Sequence, residues 1–265
     1  MKADARAGYK AGFKAVCRPF LGLSMLVACC AAAPTHAEDA AHSCDVPAYL
    51  LASESSLPKV EQSLKADRRL EILVVGSRSS TIGMSDGAAA YPARLQAALH
   101  EKLPAVTVNV TVEIQVKKTA EEIAASLEKL VEDRKPTLVV WQTGTVDALR
   151  SVDPDDFRGA IDDGVAAMQK AGADVVLMNL QYSPRTETMI SASAYLDNMR
   201  VVAQQHDVPL FDRFAIMRQW NEQGDFDLFN PTHGIELAKQ VHDCLGRALS
   251  KFIIDAAHLG PAQQN

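Results

Sequence analysis

The chain has 265 residues, with 27 basic and 33 acidic side chains for a net charge of −6, and 48% of its residues are hydrophobic. Beyond the first 37 residues there is no basic tract, and an acidic balance there argues against nucleic acid or an anionic membrane surface as partner. The length is ample for one domain with a substantial core.

The start of the chain reads as a targeting segment. Lys2, Arg6, Lys10, Lys14 and Arg18 form a basic n-region, Phe20 to Ala33 is apolar, and Thr35-His36-Ala37 is an A-x-A-like cleavage site. Residues 1–37 therefore read as a secretory signal peptide, its apolar part too short to span a bilayer. Leu26-Val27-Ala28-Cys29 also fits a bacterial lipoprotein box, with Cys29 as the lipidated residue. Simple secretion is preferred because the apolar run continues beyond Cys29. The expected location is secreted or periplasmic, with anchoring through Cys29 as the alternative. Without residues 1–37 the chain carries 22 basic and 32 acidic side chains, a net −10. No later apolar segment is long enough to cross a membrane.

Of five cysteines, only Cys44 and Cys244 survive cleavage after Ala37. In an oxidising compartment they have one pairing available, which would tie the mature N-terminus to the C-terminal helix. Two unrelated buried thiols are the other reading.

Residues 38–56 form a polar, irregular lead-in, and Pro58 to Lys65 reads as a short helix. Leu70 to Gly83, LEILVVGSRSSTIG, then opens with a continuous apolar run that suits a strand buried on both faces of a parallel sheet. The run stops at Gly76 and enters a hydroxyl-rich turn through Ser77, Arg78, Ser79, Ser80 and Thr81. Loops at the carboxyl ends of such strands are where ligands collect. Serines that merely cap a strand-to-helix turn are the plainer reading.

Met84 to Ala90 is a small-residue loop, and Tyr91 to Leu103 is a helix with Pro92 in its first turn. Val106 to Val116 alternates apolar and polar residues, as an edge strand with one wet face does. Thr119-Ala-Glu-Glu122 matches a capping box, followed by a helix with Ile123, Leu127, Leu130 and Val131 on one face. Thr137 to Gln142 is a third, central strand running into Thr143-Gly144-Thr145-Val146-Asp147. Asp153 and Pro154 start a helix that carries Phe157, Ile161, Val165 and Met168 inward and ends at Gly172. Asp174 to Leu180 is the fourth strand, a looser segment passes Tyr182, Ser183 and Pro184, and a helix lies around Ala192–Gln205. Val208 to Phe211 is a short fifth strand. The last helix runs from about Ile235 to Phe252, with Leu237, Val241, Leu245 and Leu249 inside. The alternation predicts a three-layer α/β/α domain over 70–257, with a mostly parallel five-stranded sheet in the flavodoxin-like order 2-1-3-4-5. Residues 38–69 lead into it and 258–265 form a tail.

From the first strand to the last helix the chain resembles the SGNH/GDSL hydrolase superfamily. The resemblance rests on the serine turn, the Thr-Ala-Glu-Glu helix, the Gly-Thr-x-Asp loop, and an Asp/Asn/His-bearing loop before the final helix. It implies an SGNH-hydrolase-like α/β/α fold that cleaves esters or deacylates sugars, lipids and envelope polymers. Anchored on Thr81 and Gly83, it puts the nucleophile at Ser79 and Arg78 where the family has aspartate. Anchored on Gly76 instead, Ser77 takes the aspartate position and Arg78 the nucleophile's. The glycine that donates to the oxyanion after the second strand is replaced by Lys117. The oxyanion asparagine of the Gly144 loop falls on Val146, and Asp147, an acceptor only, cannot replace it.

The family's Asp-x-x-His pair matches Asp227-Leu-Phe-Asn230 with asparagine for histidine, or Asn230-Pro-Thr-His233 with asparagine for aspartate. The second keeps a base at His233, oriented by Asn230 or Asp227. A surface residue at a helix start is the plainer reading of His233, and His100, His206, His242 and His258 read as surface residues.

Losing one oxyanion donor costs about 10²–10³ in rate, so two replacements imply feeble turnover. The expectation is a secreted serine esterase or deacylase acting on an acylated envelope or carbohydrate ester. The alternative is a non-catalytic SGNH-fold binding or accessory module for an envelope polysaccharide. No metal-ligand spacing, phosphate loop or other cofactor pattern stands out.

Overall fold

The computed structural model describes residues 44–83, 87–229 and 234–258, which lie within one compact unit. The signal segment with Cys29, part of the small-residue loop, Asn230, His233 and most of the tail fall outside the described residues.

Five strands form one sheet: β1 (Arg69–Gly76), β2 (Thr107–Ile114), β3 (Leu138–Gln142), β4 (Asp174–Met178) and β5 (Leu210–Phe211). Their order is β2-β1-β3-β4-β5, and every neighbouring pair is parallel. The wet face predicted for the second strand is there: Thr107 and Asn109 are exposed at the edge while Val108 between them is buried. All five residues of β3 and all five of β4 are buried, as strands covered on both faces must be.

The helices are α1 (Ala48–Leu51), α2 (Pro58–Ala66), α3 (Tyr91–Lys102), α4 (Ala120–Arg134), α5 (Thr145–Leu149), α6 (Pro154–Lys170), α7 (Pro184–Met189), α8 (Ala192–Gln205), α9 (Arg213–Gln223) and α10 (Gly234–Ala256). Adjacent residues of β3 show how they layer. Gly164 of α6 lies so close to the Trp141 ring that a Cβ there would stand 2.5 Å from it. Gln142, pointing to the opposite face, meets Tyr91 of α3. Thr119 caps α4 through the anticipated capping box. Asp153 caps α6 by accepting from the Asp155 N–H.

Four helices were not anticipated, one of them α7, in the segment read as looser around Pro184. α1 interrupts the lead-in and α5 winds the loop after β3 into a short helix. α9 matters most, because it carries part of the site. Its apolar residues, Phe214, Ile216, Met217 and Trp220, are broken up by Arg213, Arg218 and Gln219 and give a weak stripe. Its boundaries were nonetheless marked, by Asp212, whose carboxylate accepts from Ala215 N–H, and by Gly224 at φ 81°.

Cys44 and Cys244 form a disulfide with Cα atoms 5.0 Å apart across a sequence separation of 200. Among the described residues no helix is long and apolar enough to cross a membrane.

Candidate functional site

The site is built at the carboxyl end of the sheet, where β1 and β3 lie side by side. Gly76 ends β1 because the Ser80 side chain folds back over it; a Cβ at that position would meet Ser80 Oγ at 2.1 Å. Ser80 is buried, and its hydroxyl donates to Gln142 Oε1 at 2.7 Å. Tyr91 Oη donates to the same oxygen at 3.1 Å. The Gln142 amide then points the other way, donating through Nε2 to Ser79 Oγ at 2.8 Å and to Ser77 Oγ at 3.1 Å. A buried amide whose two ends are both satisfied fixes the turn's shape and the hydroxyls' positions. Ser79 is half-buried and faces a pocket, Ser77 lies 3.2 Å from it, and Arg78 is exposed.

The opposite wall comes from α9 and α10. Arg213, the first residue of α9, is 1% exposed and donates from Nη1 to Ser79 Oγ at 3.4 Å. Its Nε and Nη2 have no hydrogen-bond partner among the described residues. The neighbouring Asp212 is no help: Oδ1 accepts from Ala215 N and Asn179 Nδ2, and Oδ2 pairs with Arg200. Burial lowers the Arg213 pKa to about 10, a pull that the nearby Tyr91 phenol partly offsets. The group remains a cation at neutral pH.

His242 was read as a surface residue, and the structure corrects this: it is buried. The apolar stripe of Val241, Leu245 and Leu249 marks only one of two buried faces of α10. A second runs through His242, Gly246 and Ser250, because α10 packs closely on α3. A Cβ on Gly246 would stand 2.7 Å from the backbone nitrogen of Leu95. That approach brings His242 Nδ1 to the backbone N–H of Tyr91 at 2.9 Å. The ring thus caps α3, whose own N-cap residue, Ala90, has no side-chain acceptor. Burial, helped by the Arg213 charge, lowers the His242 pKa to about 4. With Nδ1 accepting, the neutral ring carries its proton on Nε2, so His242 offers the pocket a donor and not a base.

His206 is also not a free surface residue, being half-buried with Nε2 2.8 Å from Asp162. His100 and His258 are exposed, as anticipated.

The remaining predicted positions divide clearly. Lys117 is exposed and holds φ 59°, the left-handed region that a glycine enters without strain. Gly144 holds φ 93°, and a Cβ there would stand 2.5 Å from the Leu180 side chain. Val146 is half-buried and has no polar side-chain atom. Asp147 is buried and accepts the Ala120 N–H at the start of α4, 2.8 Å away. Burial raises its pKa despite the backbone donors around it. Asp227 accepts from Phe229 N–H at 3.2 Å. Asn230 and His233, one an orienting candidate and the other the base, lie outside the described residues.

Between Ser79, Arg213 and His242 opens a cavity of about 160 Å³, its other walls including Tyr182, Met217, Leu237, Val241 and Leu245. Sequence reasoning singled out Ser79, which lines this cavity, but not Gln142, Arg213 or His242. An arginine one residue past a short strand, at a helix start that disfavours cations, was the available signal.

A parallel 2-1-3-4-5 sheet between helix layers, with a serine turn at the end of its first strand, is the architecture of the SGNH/GDSL hydrolase superfamily. The non-GDSL lipase-like family matches residues 43–259, and the chain belongs to that family. No curated protein is a significant match. Solved structures share the fold at low identity. TesA is 23% identical, with 68% of this chain and 98% of that one covered at a TM-score of 0.53. Axe2, an acetylxylan esterase from Geobacillus stearothermophilus, is 17% identical, with coverage of 72% and 95% and a TM-score of 0.55. LAE5, an α/β hydrolase enzyme from the metagenome of Lake Arreo, is 16% identical, with coverage of 71% and 95% and a TM-score of 0.54.

Proposed function

We propose that this protein is a secreted serine esterase or deacylase of low turnover, acting on an acylated envelope or carbohydrate ester. The observation that carries the reading is Ser79 Oγ, held by Gln142 Nε2 at the carboxyl end of β1 and facing the pocket. In this reading Ser79 attacks the ester carbonyl, and His233 takes its proton. Asp227 or Asn230 orients the imidazole, and backbone N–H groups bear the oxyanion. The Val146 side chain has no donor where the family has asparagine, and the Lys117 side chain takes up space that the family's glycine leaves to the substrate, which together account for the low turnover. The predicted signal segment supports secretion, as does the disulfide, a bond at home in oxidising compartments.

A specific observation favours a second reading, a non-catalytic module that binds an envelope polysaccharide. Among the described residues Ser79 Oγ is met by Gln142 Nε2, Arg213 Nη1 and the Ser77 hydroxyl, and none of these three is a base.

Hydrolysis of p-nitrophenyl acetate by wild type, Ser79→Ala and His233→Ala separates the two. The esterase reading expects both variants to fall to the buffer rate. A wild-type rate equal to both variants overturns it and leaves the binding module. A fluorophosphonate label found on Ser77 or Ser80 would move the nucleophile within the turn.

A further inference from the structure

We propose that Arg213 bears the negative charge that forms when Ser79 adds to an acyl carbonyl. The inference rests on the esterase reading and deepens it, adding a charged donor to the backbone N–H groups that carry the oxyanion there.

Two features of the site support this role. The loop after β3 has no oxyanion donor where the family has asparagine, since Val146 lacks a polar side-chain atom. On the opposite wall a guanidinium touches the nucleophile, and no acid among the described residues pairs with it. The adjacent Asp212 is committed to Ala215, Asn179 and Arg200. A buried cation without a counter-ion is costly, and the first position of α9 sets this one against the helix dipole. Such a cost is recovered where negative charge appears, and at Ser79 it appears during reaction.

Geometry selects one nitrogen. Nε and Nη2 are sealed within the protein, whereas Nη1 donates to Ser79 Oγ at 3.4 Å. Arg213 and Ser79 line the same cavity. In the addition, an Oγ lone pair forms the bond to the carbonyl carbon and the hydroxyl proton passes to the base. The carbonyl π pair moves onto its oxygen, which becomes the oxyanion, two bonds from Oγ. A donor already in contact with Oγ is within a small shift of that atom. The 3.4 Å contact is long, as catalytic hydrogen bonds in free enzymes often are. Charge on the acceptor shortens such bonds to about 2.7–2.9 Å. Gln142 Nε2, neutral and shared between Ser77 and Ser79, holds Oγ in place and brings no charge. Burial, and after it the Arg213 charge, lower the pKa of His242 on another wall to about 4, which shows the charge acting within the cavity.

Phenylboronic acid is the probe. A serine oxygen adds to its boron, the hydroxyl proton leaves to buffer, and the adduct is a tetrahedral anion. In calorimetric titration wild type should bind it about tenfold to a hundredfold more tightly than Arg213→Met, the range for hydrogen bonds to a charged group. Planar, neutral benzamide should not distinguish the two proteins. Arg213→Gln, also uncharged, replaces the methionine variant if that one does not fold. Ser79→Ala should abolish boronate binding. Equal boronate affinity for wild type and the uncharged variant overturns the proposal. So does a wild type that does not bind the boronate, binding that survives Ser79→Ala, or a parallel loss of benzamide. With p-nitrophenyl acetate the uncharged variant should lose about 10²–10³ in kcat at unchanged KM. Ser79-dependent turnover indifferent to Arg213 sinks this inference and leaves the esterase reading standing; Arg213-dependent boronate binding without turnover does the reverse.

Discussion

Two of the buried charges at helix starts among the described residues are accommodated in opposite ways. At the amino end of the sheet, Asp174 of β4 accepts the backbone N–H groups of Lys59 and Val60 at 2.8 and 2.9 Å. It thereby caps α2, whose own N-cap residue, Leu57, has no side-chain acceptor. The negative group sits where the helix dipole welcomes it, and its partners are supplied by the fold. Burial still raises its pKa, and the two N–H bonds offset only part of that rise. At the carboxyl end, Arg213 puts a positive group at the start of α9 with two nitrogens unmatched. The first arrangement serves stability. The second costs stability.

His242 gives the largest test of this contrast. Its folded pKa of about 4 lies below the ordinary 6.5, so between those values the unfolded chain binds more protons than the native one. The contribution of the neutral ring is therefore full above pH 6.5 and is lost as the pH falls toward 4, by up to about 3 kcal/mol. His242→Asn keeps an acceptor for Tyr91 N–H but does not titrate. Urea unfolding at pH 7.5 and 4.5 should show wild type losing more stability than the variant, and parallel losses would contradict the buried, neutral assignment.

Asp174→Ala comes next. It strands two N–H donors at the start of α2 and should destabilise by about 2 kcal/mol, read as a shift in urea midpoint at unchanged slope.

Arg213→Met goes the other way. Replacing an uncompensated buried cation with a residue of similar volume should leave stability unchanged or raise it by about 1 kcal/mol. A large loss by thermal unfolding would mean that the guanidinium is structural after all.

The smallest effect belongs to Asp147→Asn, which keeps an oxygen for the Ala120 N–H. Because burial already raises the Asp147 pKa, neutralising the group should change stability by under about 1 kcal/mol, again by urea midpoint.

Much of the scaffold was legible from local pattern. The continuous apolar runs of β1 and β3, the alternation of β2 and the capping box at Thr119 are short-range signals, and the strand order followed from which strands had a wet face. The serine turn was legible for the same reason, since Gly76 and the hydroxyls that follow are contiguous. Gln142, Arg213 and His242 were not, because each takes its meaning from a partner far along the chain. Gln142 matters through serines more than sixty residues earlier, and His242 through Tyr91, 151 residues away.

The amino-acid order alone determined the layered α/β architecture and the hydroxyl at the end of β1, since periodicity and contiguity specify them. Tertiary structure alone decided that α10 lies against α3 closely enough to bury a histidine and turn its proton toward the pocket. It also decided that Arg213 would be enclosed without a counter-ion among the described residues. Burial and electrostatic compensation are properties of what surrounds a side chain, and those surroundings exist only once distant segments have packed together.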